Sequence, residues 1–571
     1  MAIYEQFIGA TRDDFASYDD LKRRYKITYP QNFNFAYDVL DVIAQRAPNK
    51  HAMVWVGADG AEKFITFGDM AKLSNKAANY FTSLGIGKGD FVLLVLKRSD
   101  LFWYCMMGLC KIGAIVVQAT HLLTAKDYMY RCDAADIKMA VVTGDNDCTR
   151  HFDEGEPYKT VKIKAVTKHK DAKGWLDFEE GFYKASDQWS RSMAEDMLAT
   201  DTMLVSFSSG TTGYPKMVRH DFTYPLGHIM TAVFWQRVED GGLHFTISDT
   251  GWLKSLWGKL YGQWLGESAV FVYDFDRFAT LDILAKIQQY KITTFCAPPT
   301  MLRMMVAENM REFDLSSLAH CCTAGEALNP DTYNKWLNYT GKKIYEGFGQ
   351  TESTVMIGTL YPFMQPRASS MGRPIPGYDL FVADDDGRQR PSGVTGEIVA
   401  RASRDIIRNG ADSRLLDKAA RPVGLFCDYY KNERSTQNAF SNGLYHSGDT
   451  AYADESGYIY YVGRNDDIIK SSGYRIGPFE VESVLAEHPA VLEVAVTGVA
   501  DPIRGYSVKA TIVPARGYEP SPELVKELQT YVKTHTAPYK YPRIVEFVTE
   551  LPKTISGKIQ RVLIRAKDAE K

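Results

Sequence analysis

Short apolar runs alternate with helix-like runs along much of the chain, and this alternation constrains the fold more than any other feature. Residues 91–96 (FVLLVL) form a continuous apolar run of the kind found in a buried parallel strand. A helix-like run over residues 101–111 and a strand-like run over residues 114–117 follow it. Later, a helical pattern over residues 276–290 precedes a strand-like run over residues 292–296. This order predicts an α/β fold built on a parallel sheet.

The pattern changes after residue 375, where short apolar runs are separated by clusters of Gly, Pro and Asp. Such clusters predict antiparallel strands joined by tight turns. Helix and strand candidates then alternate within residues 479–535. We therefore expect a large N-terminal region over residues 1–465 and a small α+β domain over residues 466–571, with the boundary near Asp466.

Charge and cysteine usage exclude several classes of protein. The chain has 67 Lys and Arg against 70 Asp and Glu, and this near-neutral balance argues against a dedicated nucleic-acid binder. The eight cysteines form no CxxC pair and join no His cluster, so reduced, buried thiols are expected. The first fifteen residues include acidic side chains and no apolar signal core, and the apolar stretch over residues 106–119 is short and interrupted by Lys111. We therefore expect a soluble cytoplasmic protein without a membrane partner.

The segment Ser206 to Lys216, with the sequence SFSSGTTGYPK, follows a strand-like run. Its small residues allow backbone N–H groups to approach a polyphosphate, and Lys216 adds a cation. The segment is not a Walker loop, because Lys216 follows Pro215 and precedes no Ser or Thr. The predicted phosphate-binding residues are Ser208, Ser209, Gly210, Thr211, Thr212, Gly213 and Lys216.

Five motifs in chain order resemble those of the adenylate-forming (ANL) superfamily. This group includes acyl-CoA synthetases, adenylation domains of peptide synthetases and luciferases. The motifs are SSGTTGYPK at residues 208–216, EGFGQTE at 346–352, YHSGD at 445–449, GRNDD at 463–467 and PKTISGK at 552–558. The resemblance implies two α/β subdomains and a small β-barrel, followed by a mobile C-terminal α+β domain.

The resemblance also implies a reaction in which a carboxylate attacks the α-phosphate of ATP and pyrophosphate leaves. Charge on the phosphoryl oxygens of such a transition state requires cations and oriented N–H groups. Lys558 would be the catalytic cation between carboxylate and α-phosphate. Thr351 would contact the α-phosphate, and Glu352 would hold Mg²⁺.

Further residues are assigned to ATP or AMP by the same resemblance. Asp449 would accept hydrogen bonds from the ribose hydroxyls, and Arg464 would donate to the same sugar. Gly325, Glu326 and Ala327 would line the adenine. The remaining residues of this expected site are Glu346, Gly347, Phe348, Gly349, Gln350 and Arg475.

A second half-reaction with coenzyme A is implied by the loop SSGYR at residues 471–475, which resembles the coenzyme A contact of acyl-CoA synthetases. Ser472, Gly473 and Tyr474 would lie along the pantetheine. Arg504 and Lys533 would face the nucleotide end of coenzyme A or a phosphate. Lys558 and Ser472 cannot both face the acyl centre in one pose, so the resemblance implies a rotation of the small domain about Asp466.

Segments at residues 248–252, 472–478 and 536–542 resemble medium-chain acyl-CoA synthetases in particular. Acetyl-CoA synthetases carry a Trp where this chain has Gly349, which favours a larger acyl group here. Trp257 lies in the region that lines the acyl site and would shorten the pocket, unless it is simply part of the core. We expect an acyl-CoA synthetase for a C3–C8 acid, branched and cyclic acids included.

Three alternatives stay open at this stage. The first is an acetyl- or propionyl-CoA synthetase. The second is an adenylation enzyme that loads a carrier protein, which we disfavour because no carrier segment follows Lys558 in the sequence. The third is a non-catalytic nucleotide-binding protein. Partners under consideration are the small-molecule acid, ATP and coenzyme A, a second copy of the chain, and a lysine acetyltransferase or deacetylase acting on Lys558.

Overall fold

The computed structural model describes residues 2–169, 172–208, 215–326, 328–402, 421–472, 474–553 and 558–569. Within these ranges, helices cover and connect a mixed sheet, a mainly parallel sheet and a small C-terminal sheet. This arrangement confirms the predicted α/β class. All eight cysteines are free and buried, as expected for reduced thiols.

The mixed sheet joins parallel strands to an antiparallel extension. In hydrogen-bonded order its strands are Leu380–Ala383, Gly396–Arg401, Leu444–Ala453, Ile459–Arg464, Ser370–Pro374, Val355–Gly358, Ile344–Gly349, His320–Ala324, Thr294–Cys296, Leu243–Thr246, Ala269–Asp274, His51–Gly57 and Glu62–Thr66. Phe440–Ser441 pairs with Leu444–Ala453 at the side. The antiparallel strands between residues 370 and 464 are those predicted from the turn-rich sequence.

The second sheet contains the apolar run from which the fold was predicted. Its strands are, in order, Asp428–Tyr429, Lys216–Asp221, Thr202–Ser208, Ile115–Gln118, Phe91–Val95, Ile137–Thr143, Ile163–Thr167 and Leu176–Asp177. All five residues of Phe91–Val95 are buried, because parallel strands flank it on both edges and helices cover its faces.

The small C-terminal sheet consists of Tyr474–Ile476, Ile469–Ser471, Gly505–Pro514 and Val491–Asp501, with Ile544–Phe547 added in parallel to Gly505–Pro514. Helix Pro478–Leu485 packs on Val491–Asp501, and helix Arg561–Ala569 packs on the same strand. The sheet and its helices have a cluster of buried apolar residues of their own.

The remaining helices are Glu5–Ile8, Tyr18–Arg24, Val42–Arg46, Phe67–Ser83, Leu101–Ile112, Ala125–Ala134, Cys148–Glu154, Phe178–Lys184, Tyr224–Ile229, Lys254–Gly258, Tyr261–Leu265, Thr280–Gln289, Pro299–Met305, Pro330–Thr340, Glu433–Ala439 and Pro522–His535. Short 3₁₀ turns cover Arg12–Asp14, Arg191–Met193, Met310–Glu312 and Pro538–Lys540, and π-helical segments cover Ala36–Asp41 and Met230–Trp235. No helix in the described part of the chain combines the length and apolar character of a membrane span.

One predicted boundary was wrong. The helix expected over residues 276–290 begins at Thr280 instead. Asp276 forms an ion pair with Lys97 at 2.6 Å, which holds the preceding segment against the second sheet rather than in the first helical turn. A long-range charge pair of this kind leaves no periodic signal in the sequence.

Candidate active site

The loops that carry the predicted nucleotide residues follow neighbouring parallel strands of the mixed sheet. His320–Ala324 leads into Gly325 and Glu326, and Ile344–Gly349 leads into Gln350. Leu243–Thr246 leads into the segment that contains Lys254. Because parallel strands end at the same edge of a sheet, these residues meet in one crevice, where α/β sheets usually bind ligands.

The predicted phosphate loop joins two antiparallel strands of the second sheet. Ser208 ends one strand and Lys216 begins the next, and the two residues are paired in register. The hydroxyl of Ser208 donates to the carbonyl oxygen of Lys216 at 3.4 Å. The loop is therefore a hairpin connection whose two ends are held together.

The predicted ribose pair, Asp449 and Arg464, lies on two adjacent antiparallel strands and is directly opposed in register. The Arg464 guanidinium lies 3.5 Å from the carboxylate of Asp449. The amide of Gln350 donates to the same carboxylate at 2.6 Å, and the hydroxyl of Tyr461 donates to its other oxygen at 3.2 Å. Asp449 is thus a fixed acceptor with three partners, two on strand Ile459–Arg464 and one in the loop after strand Ile344–Gly349.

Burial raises the pKa of Asp449 to about 6, although Arg464, Tyr461, Gln350 and Lys558 all act in the opposite direction. The carboxylate is only 5% exposed, so desolvation of the charged form outweighs its donors. The ammonium of Lys558 has the smallest of these opposing influences on the pKa of Asp449. The same ammonium acts on the buried Lys254, whose pKa is lowered mainly by burial.

Glu352 is held through both its backbone and its side chain. Its carbonyl oxygen accepts from the N–H of Phe426 at 2.7 Å. Its carboxylate accepts from the hydroxyl of Tyr429 at 2.8 Å. The ammonium of Lys216 lies 4.7 Å from the centroid of the same tyrosine ring. Tyr429 therefore contacts the predicted metal carboxylate and the predicted phosphate cation at once.

Thr351 is positioned by a histidine for which the sequence contains no signal. The Nε2 of His220 lies 2.8 Å from the carbonyl oxygen of Thr351, so Nε2 carries the proton and donates. Burial lowers the pKa of His220 to about 4, and the ring is therefore neutral at pH 7. His220 lies in the strand that begins at Lys216, which links Thr351 to the phosphate hairpin.

The predicted adenine segment begins at Gly325, whose φ of +107° is a conformation that L side chains rarely adopt. Glu326 accepts a hydrogen bond from the hydroxyl of Thr300 at 2.9 Å. Burial raises the pKa of Glu346 to about 8, and its carboxyl accepts from the N–H of Leu328 at 3.3 Å. Glu346 thus supports the adenine segment from within the sheet.

Two glycines of strand Ile344–Gly349 lie beneath indole rings. Residues two apart in a strand share a face. A Cβ atom at Gly347 would lie within 3.0 Å of Trp235, and one at Gly349 would lie within 3.0 Å of both Trp257 and the carbonyl oxygen of Thr354. Trp257 is 6% exposed. The indole of Trp257 therefore fills the space that Gly349 leaves, and its role in the acyl pocket stays a prediction.

Phe348, between these glycines, lies on the opposite face of the strand. Its ring centroid is 6.5 Å from that of Tyr461, the tyrosine that donates to Asp449. Phe348 therefore supports the Asp449 carboxylate through Tyr461.

Of the predicted coenzyme A residues that the structure describes, Ser472, Tyr474 and Lys533 are exposed and Arg504 is half-buried. Ser472 has φ of +50°, and its N–H donates to the carbonyl oxygen of Arg504 at 2.9 Å. Tyr474 is 49% exposed and stacks on Tyr539 with ring centroids 4.1 Å apart. Lys533 is on a helix of the same domain, with its ammonium 4.0 Å from the centroid of the Tyr541 ring.

Asp466, the predicted hinge, lies 3.5 Å from the guanidinium of Arg464. Several predicted site residues lie outside the described residues: Ser209, Gly210, Thr211, Thr212, Gly213, Ala327 and Gly473. The side chain of Arg475 is likewise outside the description, although its backbone pairs with Lys470.

Sequence reasoning missed His220, Tyr429 and Lys254. Lys254 donates to the carbonyl oxygen of Ala324 at 2.6 Å, directly before the adenine segment. A lysine inside an apolar helical run was the available signal for Lys254. His220 and Tyr429 carry no comparable signal, because their contacts join segments far apart in the chain.

Comparisons with known proteins identify the same chemistry. The family model described as AMP-binding enzyme matches residues 40–404, and the model described as AMP-binding enzyme C-terminal domain matches residues 480–558. Acyl-coenzyme A synthetase ACSM3, mitochondrial, of Pongo abelii is 36% identical over 99% of this chain and 95% of that relative. Acyl-coenzyme A synthetase ACSM5, mitochondrial, of Homo sapiens is 39% identical over 94% of this chain and 91% of that relative.

A solved structure agrees with these relatives. The anthranilate CoA ligase AuaEII, crystallised in complex with anthranoyl-AMP, is similar with a TM-score of 0.83 and 27% identity over 95% of this chain and 98% of that chain. These matches confirm the superfamily predicted from the five motifs. The chain therefore belongs to the AMP-binding enzyme family and, within it, to the acyl-coenzyme A synthetases.

Proposed function

We propose that this AMP-forming acyl-CoA synthetase converts a C3–C8 carboxylic acid, ATP and coenzyme A to acyl-CoA, AMP and pyrophosphate through an acyl-adenylate. The observation that carries the proposal is the buried Asp449 carboxylate, which has Gln350, Tyr461 and Arg464 as partners and is influenced by the positive charge of Lys558. An acceptor for ribose hydroxyls and a cation in the same crevice are what adenylation requires.

In the first half-reaction, the acid's carboxylate oxygen attacks the α-phosphorus of ATP, and the bond to the bridging oxygen of pyrophosphate breaks. Lys558 neutralises charge on the carboxylate and the α-phosphoryl oxygens. Thr351 contacts the α-phosphate, with its backbone held by neutral His220. Lys216 and Ser208, with the hairpin between them, bind the outer phosphates.

Glu352 fits a role as ligand of Mg²⁺. Mg²⁺ in nucleotide sites is commonly bound by one or two carboxylates, and phosphates and water supply its other ligands. Among the described residues there is no cluster of three His, Cys, Asp or Glu side chains, which is consistent with a metal bound through one protein carboxylate and the triphosphate. The bound ion would neutralise charge on the phosphates that leave.

The second half-reaction is attack of the coenzyme A thiol on the acyl-adenylate, with AMP as leaving group. We propose that residues 466–571 rotate about Asp466 as one domain against residues 1–465. Ser472, Gly473, Tyr474, Arg504 and Lys533 would then contact coenzyme A, and Arg475 would approach the adenylate phosphate. The exposure of Ser472 and Tyr474 in the present pose supports this account, because these side chains remain available for a second interface.

The acid class is proposed from the pair Gly349 and Trp257. The Trp257 indole covers Gly349 and so limits the depth of a pocket that the glycine alone would extend. A pocket closed by one indole in this way suits short, branched or cyclic acids better than long chains.

We further propose a cytoplasmic location, homodimer formation and control by acetylation of Lys558. Acetylation would remove the catalytic cation and stop adenylation. Deacetylase treatment of cell-purified enzyme should raise its activity, and unchanged activity would count against this control. Size-exclusion chromatography with light scattering tests the dimer.

The test of the function is release of pyrophosphate and AMP across a panel of acids from acetate to octanoate and benzoate, with and without coenzyme A. Acyl-CoA formation with C3–C8 acids supports the proposal. Acetate or propionate as best substrate, with longer acids inactive, would establish the acetyl/propionyl alternative. If the acyl-adenylate is consumed only when a carrier protein is supplied, the carrier-loading alternative is established.

A further inference from the structure

Tyr429 contacts two groups of opposite charge in the candidate site. Its hydroxyl donates to the Glu352 carboxylate at 2.8 Å, and its ring centroid lies 4.7 Å from the Lys216 ammonium. Among the ion pairs of the described residues, none joins Lys216 to Glu352. One aromatic side chain therefore contacts the cation with its ring and the anion with its hydroxyl.

The position of Tyr429 is set by its strand. Asp428–Tyr429 pairs with the strand that begins at Lys216, with Tyr429 opposite Val218. The guanidinium of Arg219 donates to Asp428 at 2.8 Å, which fixes the neighbouring residue of the strand. Tyr429 is 8% exposed, and its ring packs against Phe426 with centroids 4.9 Å apart. A buried ring on a strand that is paired in register has little freedom to move.

The hydroxyl of Tyr429 keeps its proton under all ordinary conditions. Burial, and then the charge of Glu352, raise its pKa far above the usual range of a phenol. A protonated phenol donates to one carboxylate oxygen and leaves the other oxygen available for a second partner. The face of the ring attracts a cation, and this attraction is stronger where water is excluded.

We propose that Tyr429 is a positioning residue that keeps Lys216 and Glu352 from neutralising each other. It directs the carboxylate towards the metal ion of MgATP and the ammonium towards the outer phosphates. This inference rests on the proposed function, because it requires MgATP as the ligand. In this account Tyr429 acts through Lys216 and Glu352 rather than on the acid or the α-phosphate.

Two substitutions distinguish the contact of the Tyr429 hydroxyl with Glu352 from the contact of its ring with Lys216. Tyr429→Phe keeps the ring and removes the donor to Glu352, whereas Tyr429→Leu removes both contacts. A hydrogen bond to a charged group contributes roughly 1.5–3 kcal/mol, so its loss predicts about a tenfold or greater rise in the Mg²⁺ concentration that gives half-maximal activity. Tyr429→Leu should weaken the binding of MgATP further, because Lys216 also loses its contact with the aromatic ring.

The measurements are acid-dependent pyrophosphate exchange at varied Mg²⁺ and calorimetric binding of MgATP and of AMP without metal. In Tyr429→Phe, we expect weaker MgATP binding and unchanged AMP binding, since AMP lacks the outer phosphates. Tyr430→Phe is the matched control, because Tyr430 is the next residue and packs on Phe91 instead. In a Glu352→Gln background, Tyr429→Phe should cause no further loss of Mg²⁺ dependence.

Three results would overturn the inference. One is wild-type Mg²⁺ dependence and MgATP affinity in Tyr429→Phe. Another is an equal loss of AMP and MgATP binding, which would make Tyr429 merely structural. The third is a full effect of Tyr429→Phe that persists in Glu352→Gln. Absence of MgATP binding by the unmodified enzyme would instead refute the proposed function, and this inference with it.

Discussion

The packing of Trp257 on Gly349 predicts that these two positions are energetically coupled. Gly349→Ala would place a methyl group within 3.0 Å of the Trp257 indole and of the carbonyl oxygen of Thr354. Contacts of this kind force a neighbour to move. The indole has some freedom to shift, whereas the Thr354 backbone is tied to Gly424 by a hydrogen bond of 3.2 Å.

The size of the effect follows from packing energetics. Overpacking a buried site typically costs about 1–3 kcal/mol of unfolding free energy. Trp257→Leu removes buried atoms and should cost up to about 3 kcal/mol, less than the cost of truncating a large aromatic residue to Ala. In the double variant, the smaller leucine relieves the clash with the ring but not the clash with Thr354. We therefore expect a coupling energy near ~1 kcal/mol, within the range observed for contacting residues.

Two assays measure this coupling. Denaturant unfolding of the wild type, both single variants and the double variant gives the stability cycle, and kcat/KM across C2–C8 acids gives the pocket cycle. Trp257→Leu should shift preference towards longer acids by roughly fourfold per added methylene, since a buried CH₂ contributes about 0.8 kcal/mol. Gly347→Ala is the matched control, because its methyl group meets Trp235 and should not couple to Trp257.

The reasoning would be refuted if the costs of Gly349→Ala and Trp257→Leu simply add. It would also be refuted if Trp257→Leu leaves the acid profile unchanged, because Trp257 would then be part of the core alone. Equal coupling of Trp257 to Gly347 and to Gly349 would show that the response is global rather than local.

Three further predictions concern charged groups of the site. Lys558→Ala should abolish adenylation from acid and ATP but largely keep thioester formation from supplied acyl-adenylate; equal loss of both would refute the two-pose account. Burial raises the pKa of Asp449 to about 6, and ribose hydroxyls bind the ionised form, so the Kd of AMP should rise up to tenfold per pH unit below about 6 and stay flat above it. Asp449→Asn should bind AMP weakly with no such pH dependence, and a persistent pH dependence would assign it to another group. Chelation of Mg²⁺ should stop pyrophosphate exchange while AMP binding remains, and exchange that survives chelation would exclude Glu352 as a metal ligand.

The parts of the fold that the sequence predicts well are those with local signals. The apolar run at residues 91–96 is a buried strand, because parallel neighbours flank it. The phosphate loop was predicted because small residues follow a strand-like run and end at Lys216, and the structure then pairs Ser208 with Lys216 in register. Asp449 and Arg464 were assigned to one sugar by resemblance, and the structure places them directly opposite each other on adjacent antiparallel strands.

The parts that the sequence does not predict depend on contacts between distant segments. His220 holds Thr351 across 131 positions of the chain. Trp257 lies over Gly349 only because helix Lys254–Gly258 and strand Ile344–Gly349 meet in the folded molecule. Neither contact changes local periodicity, capping or turn chemistry, so no pattern within a window of the sequence could reveal it.

The pose of the small domain is a further feature that no local pattern of the sequence predicts. Lys558 and Ser472 were both predicted to reach one acyl centre. In the structure the ammonium of Lys558 acts on the carboxylate of Asp449, whereas Ser472 and Tyr474 are exposed to solvent. Charge favours this arrangement, because the positive charge of Lys558 acts on a buried carboxylate. Binding of ATP adds negative phosphates to the same crevice and should stabilise this pose further. Loss of pyrophosphate removes most of that charge, so the attraction on Lys558 weakens at the step after which coenzyme A must enter.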